Sequence, residues 1–199
     1  MAFLRTIARG RTAWRPGGMV RAWLAALALL WTAAPPVAAA PAISEEYQLK
    51  AVFLFNFAQF VEWPAEAFPA PEAPLVIGVL GDDPFGKYLD DLVSGEKVGP
   101  HPLTVRRFPN PADAVASHIL FISRSEAGEL RRDLTTLQGR SVLTIGDLET
   151  FTREGGMVRF VTENGKIRLR INVEAARAAR LKISSKIMRP ATIVTAGKD

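Results

Sequence analysis

The chain has 199 residues, 48% apolar and 23% charged, enough for one ordinary globular domain with its own core. It has no cysteine and only two histidines, which excludes disulfides, thiolate chemistry and histidine-rich metal sites; no metal or cofactor is expected. The net charge of +5 is misleading. Arg5, Arg9, Arg11, Arg15 and Arg21 all lie in the first 42 residues, which hold no acid, and the remainder balances 20 basic against 20 acidic residues. A neutral domain is a poor match for phosphate backbones, so no nucleic-acid partner is expected.

Residues 1–42 read as an export signal. Arginines lead into the apolar run "AWLAALALLWTAA", followed by the small residues of "PPVAAAPA". The run is short of the ~20 residues a spanning helix needs. Cleavage fits best after Ala39 or Ala42, and Met19 offers a second possible start. The expected organisation is a signal peptide over 1–42, one domain over 43–190 and a tail over 191–199.

The mature chain opens with a helix over 44–63. Ser44 caps it, Glu45 and Glu46 sit in its first turn, and Pro64 ends it. Four phenylalanines and a tryptophan crowd "AVFLFNFAQFVEWP", residues 51–64. At 100° per residue, Leu49, Phe53, Phe57 and Phe60 fall within about 80° of one another, predicting a core-facing stripe that Leu54 and Val61 widen. Phe55 lies about 200° from Phe53, on the side of Gln48, Gln59 and Glu62, with Trp63 near it. Phe55, Gln59 and Trp63 are therefore candidates for a dimer or partner surface; the other reading is that the connector 64–74 folds back over them.

Strands and helices then alternate. "LVIGVLG", "LTVRRF", "HILFIS" and "SVLTIG" read as strands; "PFGKYLDDLVSG", "PADAVA", "EAGELRRDLTTL" and "DLETFTREGG" read as helices. This implies an α/β fold with a mostly parallel, Rossmann-like sheet flanked by helices. "MVRFVTENGKIRLRINV" breaks the cycle as an antiparallel hairpin around Asn164-Gly165. Its register pairs Glu163 with Lys166, Thr162 with Ile167, Phe160 with Leu169 and Val158 with Ile171, making one face apolar. Arg159 then faces Arg170, a second candidate for partner contact. "VEAARAARL" is a last helix and "KISSKIMRPATIV" a tail.

"VLGDDPFG" lacks the glycine spacing of a dinucleotide fingerprint and the lysine of a phosphate loop. Ligands in such sheets bind outside the carboxyl ends of the strands. A small-ligand crevice there would be lined by Asp82, Asp83, Ser123, Arg124 and Asp147. His118, at a strand entry, reads as structural, and Ser184, Ser185, Lys182 and Lys186 as a polar tail segment. No base and nucleophile come together, so an enzyme is not expected.

"LKAVFLFNFAQFVEWP", "LVIGVLGDDPFG", "SHILFIS", "VLTIGD", "GGMVRF" and "IRLRINVEAARAARLKISSKIMR" occur in an order that resembles the YfiR-like (YfiR/HmsC) family, over about residues 45–190. The resemblance implies a periplasmic α/β domain, often a homodimer, acting as a regulator. It implies binding to the periplasmic sensory part of an inner-membrane diguanylate cyclase, which lowers cyclic di-GMP signalling. It further implies an OmpA-like outer-membrane lipoprotein that sequesters the regulator. Family members often carry a cysteine just before the "HILFI" strand, where this chain has Ser117; a disulfide cannot tune it. The residues by themselves also allow a periplasmic small-ligand sensor working with another membrane receptor.

Overall fold

The computed structural model describes residues 43–195 and Gly197, so the predicted export signal lies outside the described residues. Helix α1 (Glu45–Phe60) begins where Ser44 accepts a hydrogen bond from the Tyr47 N–H. It stops three residues short of the expected end, because Val61–Glu62 turns extended as strand β1. The chain continues through β2 (Leu75–Leu80), α2 (Lys87–Val93), β3 (Lys97–Val98), β4 (His101–Phe108) and α3 (Pro111–Ala114). It then runs β5 (Ile119–Ile122), α4 (Leu130–Thr136), β6 (Leu143–Gly146), β7 (Val158–Glu163) and β8 (Lys166–Asn172). Helix α5 (Val173–Ala178), β9 (Lys182–Ile183), α6 (Ser185–Met188) and β10 (Thr192–Val194) follow.

Eight strands form one sheet in the order β10-β8-β7-β6-β5-β2-β4-β3. The centre is parallel: β2 pairs with β4 on one side and β5 on the other, then β6 and β7 follow. The mixed α/β architecture with an antiparallel hairpin is the one expected. The hairpin register is also as expected, from Val158 opposite Ile171 to Glu163 opposite Lys166. Asn164 and Gly165 carry the positive φ values, 52° and 71°, that such a two-residue turn requires.

Strand residues alternate between two cores. Leu75, Ile77, Val79, Ile119, Phe121, Leu143 and Ile145 pack under α1, α2 and α5. Leu80, Leu120 and Ile122 pack with α3, α4 and Phe151 on the other face. Burial on both sides explains why these strands are continuous apolar runs.

Three expectations need correction. "DLETFTREGG" is a series of turns rather than a helix, because it wraps the wholly buried Phe151 ring between Gly146 and Gly156. A Cβ at Gly146 would lie 2.5 Å from that ring and one at Gly156 2.2 Å. Helix α2 starts at Lys87, three residues later than the reading of "PFGKYLDDLVSG" as a helix from Pro84, and Asp83 Oδ1 accepts the Phe85 N–H at 2.7 Å. The segment read as a tail holds secondary structure: β9 pairs with β1, and Thr192–Val194 runs parallel to β8 as a sheet edge.

The buried seam of α1 is also shifted. Lys50, Ala51, Leu54, Phe57 and Ala58 are its buried residues, whereas Leu49 is 42% exposed. The seam therefore passes through Lys50, one position beyond the predicted stripe at that end.

Candidate functional site

Helix α1 delivers Glu46, Tyr47 and Lys50 to the carboxyl end of β6, where Asp147 waits. Lys50 Nζ lies 2.5 Å from Asp147 Oδ2 and 2.5 Å from Glu46 Oε1. Tyr47 donates its hydroxyl to the same Asp147 oxygen at 3.0 Å, and Thr162 donates to Glu46 at 3.0 Å. Arg124 Nε closes the cluster 3.1 Å from Asp147 Oδ1, an ion pair that falls short of hydrogen-bond alignment. The Lys50 and Asp147 side chains are both 1% exposed.

Burial pushes the Asp147 carboxyl up, but the hydrogen bond and charge of Lys50, with Arg124, outweigh it and hold it below its ordinary value. For Tyr47, burial and then the Asp147 charge act in the same direction and push the phenol up to about 12. Glu46 is held low, chiefly by its bond to Lys50. The cluster thus sets two carboxylates against Lys50 and the Arg124 guanidinium, with the Tyr47 phenol donating to Asp147.

A second cluster sits across the sheet, at the carboxyl ends of β2 and β4. Arg107 grips Asp90 with two bonds of 2.6 Å, donates to Asp83 Oδ2 at 2.9 Å and to the Gly86 carbonyl at 3.0 Å. The fork geometry suits a guanidinium and no other side chain. The bonds to Asp90 raise the Arg107 pKa and lower that of Asp90.

The five residues predicted to line one crevice are therefore divided. Arg124 and Asp147 share the first cluster and Asp83 belongs to the second. Asp82 donates its backbone N–H to Ser125 Oγ at 2.9 Å, and Ser123 is buried, its N–H on the Leu80 carbonyl. Sequence reading missed Lys50, Tyr47 and Arg107. An i,i+4 Glu46–Lys50 pair was visible, but it looks the same on a wet helix face.

The residues predicted to meet a partner also divide. Gln59 is exposed on the outer arc of α1; Phe55 and Trp63 are partly buried and pack against the core beneath that helix. The Trp63 indole donates to the His118 carbonyl at 3.2 Å. Arg159 and Arg170 are directly opposed across the hairpin. They alternate with Val158, Phe160, Leu169 and Ile171, which face the α1 core, so they point to the other side of the sheet.

At the amino ends of the strands the two histidines stack on the two sides of one ring. Phe68 lies 3.7 Å from the His101 ring and 4.4 Å from that of His118. His118 Nδ1 accepts the Val76 N–H and its Nε2–H donates to the Ala67 carbonyl, which fixes its tautomer. Burial lowers its pKa. No grouping of three His, Asp or Glu side chains suits a metal ion among the described residues, and none of their helices is long and apolar enough to cross a membrane.

A model of the YfiR/HmsC-like domain matches residues 47–192. The chain belongs to the YfiR/HmsC-like family. The YfiR/HmsC-like region thus runs from Tyr47 in α1 to Thr192 in the edge strand β10, and both charge clusters fall inside it except for Glu46, one position before its start. No curated protein matches the chain.

Proposed function

We propose that this YfiR/HmsC-like protein is exported to the periplasm. There it binds and represses the periplasmic sensory part of an inner-membrane diguanylate cyclase, and acts as a regulator rather than an enzyme. Family membership over residues 47–192 supports the class of function. One observation supports a surface for it. The outer arc of α1, from Gln48 through Leu49, Val52 and Asn56 to Gln59, carries no charge and is edged by the half-buried Phe53, Phe55 and Phe60. Depletion of charge with aromatic residues nearby is the composition of a protein interface centre. The same arc would serve a homodimer, and sequestration by an OmpA-like outer-membrane lipoprotein fits a regulator whose face is reusable.

The test is Gln59→Arg, at an exposed position where a surface change should cost no more than about 0.5 kcal/mol. In a co-purification with the cyclase periplasmic domain, the parent is retained and the variant is lost, and cellular cyclic di-GMP rises with the variant as it does on gene deletion. Light scattering of both proteins separates loss of the cyclase from loss of a dimer. Unchanged cyclic di-GMP on deletion would overturn the reading.

A further inference from the structure

The cluster at the carboxyl edge leaves a question about the opposite edge, where a cleft of about 540 Å³ opens between the amino ends of β2, β4, β5 and β6. Three arginines line it, each from a different part of the chain: Arg106 on β4, Arg140 before β6 and Arg180 after α5. None of the three is in an ion pair among the described residues, and Glu66 is the one carboxylate lining the cleft. The cationic clusters at Lys50 and Arg107, by contrast, are tied to acids. Pro74, Val76, Val115 and Val142 give the cleft an apolar part.

Two of the arginines are placed with care. Arg106 lies over the Phe108 ring, 4.9 Å from its centroid, which restricts the guanidinium before anything binds. Arg180 closes helix α5. Its N–H bonds the Arg177 carbonyl and the Leu181 N–H bonds the Ala176 carbonyl, the paired bonds of a helix end that asks for glycine at position 180. Arg180 occupies that position with φ of 59°. A side chain there is strained, and glycine would fold more easily. The chain keeps a guanidinium where its backbone prefers none, and that guanidinium lines the cleft.

We infer that this cleft binds an oxyanion, a phosphate or carboxylate, carried on a small apolar or aromatic body. Arginine forks recognise phosphate and carboxylate with two parallel bonds, and apolar walls take the rest of the molecule. The volume lies within the ~300–1,000 Å³ of small-molecule sites. The source is either a free periplasmic metabolite or the headgroup of an anionic lipid. The inference stands apart from the cyclase reading, since it involves neither α1 nor a protein partner.

The experiment uses phenyl phosphate, with phenol and sodium chloride at matched ionic strength as controls, followed by amide and arginine side-chain NMR shifts. Parent protein shows saturable shifts at Arg106, Arg140, Arg180 and Val142 with phenyl phosphate and none with the controls. Arg180→Gly unfolds at the same temperature or higher, yet loses affinity at least tenfold; Arg106→Gln with Arg140→Gln abolishes the response. A parallel flotation with phosphatidylglycerol against phosphatidylcholine vesicles identifies the source. Binding to phosphatidylglycerol alone, lost in Arg180→Gly, assigns a lipid headgroup. Absence of any saturable response to phenyl phosphate and to phosphatidylglycerol overturns the inference, as does a response equal in parent and Arg180→Gly. A Gln59→Arg protein that loses the cyclase but still binds phenyl phosphate supports both readings and shows that the two sites are separate; one that keeps the cyclase counts against the cyclase surface alone.

Discussion

Asp147→Asn removes one charge from the most buried ion pair among the described residues and leaves Lys50 with a neutral neighbour. Breaking a buried pair from one side costs about 3–5 kcal/mol, because the remaining charge keeps its desolvation penalty. Here Glu46, 38% exposed in its side chain, still holds Lys50 at 2.5 Å, so the cost belongs at the lower end, about 3 kcal/mol. For a domain of this size that corresponds to a fall of about 6–12 °C in Tm. Urea unfolding measures it directly, as a lower midpoint with an unchanged slope. The double variant Lys50→Met with Asp147→Leu should recover most of the loss, since apolar groups of similar volume replace a buried pair at little cost. The acid limb provides a second check. The Asp147 carboxyl is held below its ordinary 3.8, so its contribution is complete above that pH and is lost as pH falls through the depressed value. Asp147→Asn should therefore flatten the decline in stability below about pH 4. An Asp147→Asn protein within about 1 kcal/mol of the parent, or a double variant as damaged as the single, would refute this account.

Asp133 is the converse case. It is 0% exposed, neither carboxylate oxygen has a hydrogen-bond partner, and its pKa is raised by burial. Asp133→Leu should raise stability by about 1–3 kcal/mol at pH 7. In the parent that cost disappears as pH falls through the raised pKa towards 3.8, so the gap between the two urea midpoints should close in acid. His118, whose pKa burial lowers, must stay neutral to accept the Val76 N–H. The parent should lose stability as pH drops below the ordinary 6.5 towards the lowered folded value, and an imidazole NMR titration with a midpoint at or above 6.5 would contradict the placement.

Period and turn chemistry carried the parts of the fold that were legible in sequence. The Asn164-Gly165 turn and the alternation of Phe160, Leu169 and Ile171 determine the hairpin register before any tertiary contact is known. Continuous apolar runs mark the strands buried on both faces. Lys50 shows where this reasoning stops. A helical wheel assigns a lysine to solvent, and the seam of α1 was placed through Leu49 instead; only the distant Asp147, 97 positions along the chain, makes a buried lysine affordable. Phe151 shows a second limit. Ten residues read as a helix are turns, because one ring packs against two glycines, an approach that no local propensity encodes. The expected crevice residues were individually well placed at strand ends, but their partners, Lys50 and Arg107, come from other elements.

The expectation that ligands bind at the carboxyl edge rests on those loops being free to close on something foreign. In this sheet the switch point lies at β2, which has β4 on one side and β5 on the other. Both flanks of that point are occupied by the protein's own ion pairs: Arg107 with Asp83 and Asp90, and Arg124 with Asp147 over Lys50. A charged ligand entering there would have to displace a bidentate guanidinium or separate a pair buried to 1% exposure. Three guanidinium groups that no acid of the described residues engages, those of Arg106, Arg140 and Arg180, line the cleft at the other edge. Electrostatics, more than topology, therefore determines which end of this α/β sheet can receive an anion.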